Sequence, residues 1–161
     1  MRHEALIAFL LGGLLFSGCA KGVEDDNSLG DLGGQAYQGL LIDADLGPFI
    51  RITDDSATLR ITFSRESEEL AAQVRLSDGL DYVHEGAWNT FDGPETEELQ
   101  GLRIRDKKLS GYIELEGTTL TFDGTFNQQR TTLTADVDFI GSMTLTPWEA
   151  PPGDDDDSSQ D

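Results

Sequence analysis

Cysteine and histidine are scarce in this chain, and their scarcity excludes several kinds of site. The 161 residues include one cysteine, Cys19, and two histidines, His3 and His84. A single cysteine cannot form a disulfide within the chain, and structural zinc sites need several Cys or His ligands. Nucleophilic catalysis needs a base beside its nucleophile, and no Gly-x-Ser-x-Gly segment accompanies His84. The sequence therefore predicts no zinc, no bound cofactor and no enzymatic activity.

Positive charge is also scarce, which excludes one class of partner. Lys and Arg total 11 against 31 Asp and Glu, so the formal net charge is -20. Nucleic-acid binding depends on Lys and Arg that displace counterions from phosphates. We expect no nucleic-acid partner, and no attraction of the acidic body to anionic lipid headgroups. High net charge is typical of a protein that stays soluble.

The chain lacks a long hydrophobic run, although its amino-terminal segment has a short one. Arg2 precedes the apolar run Ala5–Phe16, which is followed by the small residues Ser17 and Gly18. A transmembrane helix needs about 20 apolar residues, so this run is too short to span a bilayer comfortably. A positive end, a short apolar stretch and small residues are the parts of a secretory signal peptide.

The end of this segment, Leu15-Phe16-Ser17-Gly18-Cys19, resembles the lipobox of bacterial lipoproteins. The resemblance covers residues 1–19 and departs from the commonest pattern at Phe16, where Leu is usual, and at Glu4. It implies cleavage before Cys19 and lipid attached to the cysteine sulfur. Two or more acyl chains give stable attachment to a membrane. The alternative is an ordinary signal peptide cleaved elsewhere, with Cys19 incidental.

Composition divides the rest of the chain into three parts. Residues 19–34 hold the lipidated cysteine and a tether rich in glycine and acids, which cannot bury enough apolar surface to fold. Residues 35–149 form one β-domain, and residues 150–161 form an acidic, disordered tail. Lys21 is not the Asp that the lipoprotein resemblance links to inner-membrane retention. We therefore expect a lipid anchor in the bacterial cell envelope, at the outer membrane or cell surface.

The β-domain has a hydrophobic period of two, typical of strands with one buried face. The clearest run is 133–145, where odd positions are apolar and most even ones polar; it is one strand, or two strands bent at Gly141-Ser142. Turns between four successive runs predict a meander of strands from Leu102 onward. Asp78-Gly79 predicts a hairpin that joins Leu70–Leu76 to Leu80–Trp88. A long loop is expected over 89–98.

The pattern predicts an all-β, antiparallel domain of about eight or nine strands. An up-and-down barrel of lipocalin-like outline and a β-sandwich both remove exposed sheet edges, and the short connections favour the barrel. Ser64–Leu76 fits either a short helix or a strand, and the turn at Asp78-Gly79 favours the strand.

Acidic loops and aromatic side chains are the candidate binding residues. Acidic loops provide weak calcium candidates, although the twelve-residue calcium loop is absent. Carboxylate pairs could hydrolyse glycosides, but so acidic a chain provides pairs by chance. Aromatic residues could line a pocket for a small apolar ligand or fill the core. The calcium candidates are Asp43, Asp45, Asp54 and Asp55, and the pocket candidates are Tyr37, Tyr82, Trp88 and Tyr112.

Three functions are compatible with these observations. The first is a lipid-anchored envelope protein with a non-enzymatic binding or structural role, whose partners are the membrane through Cys19 and an envelope protein. The second is a lipocalin-like carrier of a small hydrophobic ligand. The third, and least favoured, is a hydrolase that uses Asp and Glu side chains.

Overall fold

The computed structural model of the chain describes residues 31–66 and 68–151, and strands dominate them. One short 3-10 turn, Leu41–Asp43, is the helical element of this part. The all-β class is confirmed, and Ser64–Leu76 belongs to two paired strands rather than a helix. The strands are β1 (Ala36–Leu40), β2 (Asp45–Leu46), β3 (Ile50–Ile52), β4 (Thr58–Glu66), β5 (Glu69–Leu76), β6 (Leu80–His84), β7 (Ala87–Thr90), β8 (Glu95–Glu98), β9 (Gln100–Arg105), β10 (Lys108–Leu115), β11 (Thr118–Phe126), β12 (Leu133–Val137) and β13 (Gly141–Pro147).

Nine of these strands form a nearly closed antiparallel barrel. Their order is β8-β5-β4-β1-β13-β12-β11-β10-β9, and β2 adds to the edge of β13. The two outer strands, β8 and β9, are consecutive in the chain and are separated by Leu99, whose N–H donates to Ala72 O at 2.8 Å. The side chain of Leu99 lies close to Gly111 on β10, because glycine has no Cβ. An added Cβ at Gly111 would lie 2.8 Å from Leu99 Cγ. The sheet is thus curved so strongly that its two outer strands, β8 and β9, are connected by a single residue.

Side chains fill the interior of the barrel. In β11, for example, Leu120, Phe122, Gly124 and Phe126 point inward while the residues between them are exposed. The barrel strands contribute large side chains that are almost completely buried, as expected where eight strands leave an interior just wide enough for side chains. These include Tyr37, Leu59, Ile61, Phe63, Ile104, Leu109, Phe122, Leu133 and Leu145.

The register of the strands gives the barrel two distinct ends. At one end, which we call the terminal end, the chain enters β1 at Ala36 and leaves β13 at Pro147. Leu32 is fully buried there, and the Tyr37 ring packs edge-on against Phe63 and Phe126. The Tyr37 hydroxyl lies within hydrogen-bonding distance of Arg130 O, at 3.1 Å, and burial raises the pKa of this phenol. Aromatic packing therefore closes the terminal end.

At the opposite end, which we call the pocket end, two excursions of the chain form a second sheet. The first lies between β1 and β4 and contains β3; the second lies between β5 and β8 and contains β6 and β7. These three strands pair in the order β3-β6-β7. We call them the cap sheet.

Two predictions about local structure are wrong. Asp78-Gly79 turns the chain, but β6 pairs with β3 and β7 rather than with β5, so no hairpin forms there. The backbone amides of Thr53 and Asp54 donate to Gly79 O and hold this turn against the first excursion. The region 89–98 is not a long loop, because it contains β8, which pairs with β5 through its backbone. This pairing does not require alternation of apolar and polar residues, so β8 has no clear sequence pattern.

Other boundaries shift by a few residues. The run 133–145 is two strands, β12 and β13, joined by a turn just before Gly141. Buried Leu32 and the bond from Gly34 N–H to Phe63 O, at 2.8 Å, show that packing begins before the predicted tether boundary at residue 34. A segment so poor in apolar residues gives no sequence signal for the packing of one leucine. The predicted leader, Cys19 and residues 152–161 lie outside the described residues.

Gly141 provides a test of the turn between β12 and β13. Its φ is +116°, and an added Cβ would lie 2.1 Å from Asp45 O. We expect Gly141→Ala to lower the free energy of unfolding by about 2 kcal/mol or more, because the backbone must move to remove the clash.

The matched control for this substitution is Gly86→Ala. Gly86 also has a positive φ, +80°, but nothing lies within 4 Å of an added Cβ. Chemical denaturation followed by circular dichroism should show a cost of about 1 kcal/mol for the control. Equal losses in the two variants would contradict the steric role of Gly141.

Candidate functional site

A pocket of about 280 Å³ lies between the cap sheet and the pocket end of the barrel. This volume is near the lower limit for small-molecule sites, which are mostly apolar with a few polar groups. Apolar side chains make up most of its wall, with β6 on one side and the β10–β11 and β12–β13 turns on the other. Its wall includes Phe49, Leu80, Tyr82, Val83, Phe91 and Phe139.

Tight turns place the barrel side of the pocket. The β10–β11 turn passes through Glu116, with φ +48°, and Gly117, with φ +76°. This geometry brings Leu115 and Thr118 to the pocket wall on either side of the turn. In the β12–β13 turn Phe139 has φ +64°, an uncommon conformation for an aromatic residue. The turn thereby interrupts the alternation of the strands and places two successive apolar residues, Phe139 and Ile140, at the pocket.

Two phenylalanines at the pocket remain accessible to solvent. Phe49 is 47% exposed and Phe139 is 57% exposed. Their ring centroids are 6.3 Å apart, with the ring planes inclined at 56°. Single exposed apolar residues are normal on proteins, whereas contiguous exposed apolar patches mark interaction sites. The two rings provide an accessible apolar face at the pocket.

The polar part of the wall is acidic. Glu116 accepts a hydrogen bond from the Tyr82 hydroxyl, and this bond, with smaller contributions from burial and nearby carboxylates, raises the pKa of Tyr82. Burial, and then the charges of Glu116, Glu97 and Asp92, raise the pKa of Glu95, which pairs with Leu76 at the end of β5. Of the described residues that line the pocket, none is Lys or Arg. Besides Tyr82 and Glu116, the described polar residues that line the pocket are Glu85, Thr118 and His84, whereas Glu95 lies outside the lining.

An ion pair holds the cap sheet together. Arg51 on β3 donates from Nη2 to Asp81 Oδ2 on β6 at 2.6 Å and from Nε at 2.8 Å. The guanidinium also lies 4.6 Å from the ring centroid of Trp88 on β7. The Arg51 bond, and then a bond from Thr90, lower the pKa of Asp81. One arginine therefore connects all three strands above the pocket.

The four aromatic candidates from the sequence do not converge. Tyr82 lines the pocket, whereas Trp88 stacks on Arg51 in the cap sheet. Tyr37 lies at the terminal end of the barrel. Tyr112 is exposed on the outer face of β10, against the backbone of Gly101. A count of aromatic residues cannot distinguish these four environments, because strand direction and register decide them.

The calcium candidates lie in the first excursion. Asp43 is in the 3-10 turn, Asp45 is in β2, and the side chain of Asp54 accepts hydrogen bonds from the N–H and the hydroxyl of Ser56. Asp55 follows in the same turn and is exposed. Within residues 31–66 and 68–151, no three His, Cys, Asp or Glu side chains are grouped as a metal site would require.

Phe49, Phe139 and Glu116 are pocket residues that sequence reasoning missed. The alternation predicts a strand that continues through Asp138, Phe139 and Ile140, although Ile140 occupies a position where the pattern requires a polar residue. That irregularity was the available signal for a turn with apolar side chains. The composition of Glu116-Gly117 is typical of a turn, but no sequence pattern brings Glu116 to Tyr82, 34 residues away.

Comparisons with known proteins do not assign the chain to a group. No family model, no curated protein and no solved structure matches it. In the described part of the chain, no helix has both the length and the apolar character needed to cross a membrane.

The Arg51–Asp81 pair makes stability depend on pH. A lowered carboxyl pKa stabilises the fold at pH values above the ordinary value of 3.8, and this contribution disappears as the pH falls through the lowered pKa. Asp81→Asn should therefore reduce the denaturation midpoint at neutral pH, and the difference from the unmodified protein should shrink below about pH 4. Urea denaturation at a series of pH values measures this difference.

Asp43→Asn is the control for the change in overall charge. It removes one negative charge from the same acidic protein, but Asp43 is exposed in a turn. Relief of self-repulsion should leave its midpoint unchanged or slightly higher at neutral pH. A loss in Asp43→Asn equal to that in Asp81→Asn would contradict the role of the ion pair.

Proposed function

We propose that this chain is a lipid-anchored binding protein of the bacterial cell envelope that holds a small apolar molecule and has no enzymatic activity. The observation that carries the binding role is the pocket of about 280 Å³ with a mainly apolar and aromatic wall. Concave apolar sites with a few polar groups are the usual sites of small ligands. A barrel architecture alone would not support a function, since one fold has many uses.

The proposed ligand lies at the end of the barrel and not along its axis. The interior is occupied by fully buried side chains such as Phe122 and Leu145. The pocket wall combines partly buried residues of the cap sheet, Tyr82 and Val83, with barrel residues such as Leu120. This arrangement resembles a lipocalin-like carrier in having strands around a central axis, but the ligand would be held beneath the cap sheet.

The side chains at the pocket support binding more than catalysis. His84 is exposed at the end of β6, and none of the described residues that line the pocket is a cysteine or serine. Glu116 already accepts a hydrogen bond from Tyr82. Apolar contact is the main interaction that this wall offers to a ligand.

The proposed anchor would leave the pocket accessible. Cys19 precedes Asp31 by twelve residues, which span at most about 40 Å when extended. The chain enters the barrel at the terminal end, near Leu32, whereas the pocket lies at the opposite end. A domain attached through Cys19 could therefore direct its pocket away from the bilayer. The lipobox resemblance at residues 15–19 supports the attachment.

Binding can be tested with N-phenylnaphthylamine, a neutral dye whose fluorescence increases in an apolar site. We expect saturable binding at one site. The dye itself is excited, and its fluorescence is followed as the protein is added. Val83→Trp should weaken binding about tenfold or more, because the larger ring occupies pocket volume and Val83 is already half-buried there.

Val83→Ala is the matched control, since it enlarges the pocket at the same position. Binding to this variant should be retained. Circular dichroism would establish that both variants are folded. Absence of saturable binding to the unmodified chain, or equal affinity of all three proteins, would be inconsistent with the proposed site.

The anchor can be tested by mass spectrometry of the protein from membranes of an expressing bacterium. The expected product begins at Cys19 and carries lipid on its sulfur. Cys19→Ser should move the protein from the membrane fraction to the soluble fraction. A mature protein with an unmodified Cys19, or with a different first residue, would refute the anchor.

A further inference from the structure

Negative charge is concentrated where a ligand would meet the polar part of the pocket wall. Glu85 and Glu116 line the pocket, and Glu95 is close enough to Glu116 for their charges to interact. His84 is the one basic side chain among the described lining residues. The pKa of Glu95 is raised first by its burial and then by repulsion from the charges of Glu116, Glu97 and Asp92. A positive charge placed here would reduce this repulsion.

Glu116 can accept another hydrogen bond. The Tyr82 hydroxyl donates to Glu116 Oε2, whereas a carboxylate has about four lone-pair sites on its two oxygens. Glu116 lies in the β10–β11 turn and is exposed, so a ligand can reach it. A charged N–H donor on a ligand could bind Glu116 without breaking the bond to Tyr82.

Aromatic rings surround the same space. Four aromatic residues lie in its wall: Phe49, Tyr82, Phe91 and Phe139. The faces of aromatic rings attract ammonium groups, and this attraction adds to that of a carboxylate. The same rings also provide apolar contact for a hydrocarbon chain. An anionic ligand such as a fatty acid would instead place its charge beside Glu85 and Glu116.

We propose that the ligand is a small amphiphilic amine, whose hydrocarbon part fills the pocket beneath the cap sheet and whose ammonium group binds Glu116 beside Tyr82. This inference depends on the proposed binding function and specifies the chemical class of the ligand. Its hydrocarbon part is small enough for a pocket of about 280 Å³.

The head group can be tested with three probes that share one hydrocarbon chain. Isothermal titration calorimetry of the full chain at neutral pH and low salt would compare octylamine, octanol and octanoate. Octylamine should bind about tenfold more tightly than octanol, because it adds a charge-assisted hydrogen bond to the same apolar contact. Octanoate should bind more weakly than octanol.

Substitutions of two glutamates in the same hairpin distinguish a local contact between the ammonium group and Glu116 from attraction by the overall charge of the protein. Glu116→Gln should weaken octylamine binding about threefold to tenfold and leave octanol binding unchanged, as expected for loss of an exposed carboxylate partner. Glu114→Gln removes the same charge from the outer face of β10, where Glu114 accepts a hydrogen bond from the Thr119 hydroxyl. Both variants remove one negative charge, so they alter any general attraction of cations to the acidic protein equally. The Glu114→Gln control should therefore leave octylamine affinity nearly unchanged.

The possible results distinguish this inference from the proposed function. If octanol and octylamine bind the protein with equal affinity, the inference is overturned, whereas the proposed binding of apolar molecules is retained. Equal weakening of octylamine binding by Glu114→Gln and Glu116→Gln would also overturn it, because the attraction would then be general. If none of the three probes binds, the proposed function itself is overturned.

Discussion

The structure depends on burial of one face of each strand in a barrel that is almost closed. Alternation sends side chains such as Phe63, Phe122 and Leu145 inward, where they are completely buried. With no disulfide available to a chain with one cysteine, this apolar burial and the backbone pairing of the strands must hold the domain together. A full interior leaves no space for a ligand along the barrel axis, so the space for the proposed ligand lies at one end of the barrel.

The two ends of the barrel differ because the connections differ. At the terminal end, Leu32 and the ring of Tyr37 fill the opening. At the pocket end, two excursions of the chain pair with each other as the cap sheet and leave a cavity beneath it. The Arg51–Asp81 pair connects strands from the two excursions. A separate sheet over a solid barrel can therefore carry a site without weakening the core on which it rests.

The fold was largely predictable from the sequence, whereas the pocket was not. Period two identified the buried face of β11 and β12, and the turns between strands indicated the meander that closes the barrel. The cap sheet was not predictable from the sequence, because β3 and β6 pair through residues that are 30 positions apart in the chain, such as Arg51 and Asp81. Asp78-Gly79 had the composition of a hairpin turn, yet contacts with Thr53 and Asp54 decide where the next strand goes. The pocket residues were missed for the same reason, since Tyr82 meets Glu116 only through tertiary packing.

In the proposed function, the ligand binds beneath the cap sheet and not inside the barrel. Methyl NMR spectra recorded while octanol is added distinguish these two places. Methyl signals of Val83, Leu115 and Ile140, which line the pocket, should shift with a common saturation curve, while those of Leu59, Ile104 and Leu145 stay in place. Shifts centred on the second group of residues would show that the ligand enters the barrel instead.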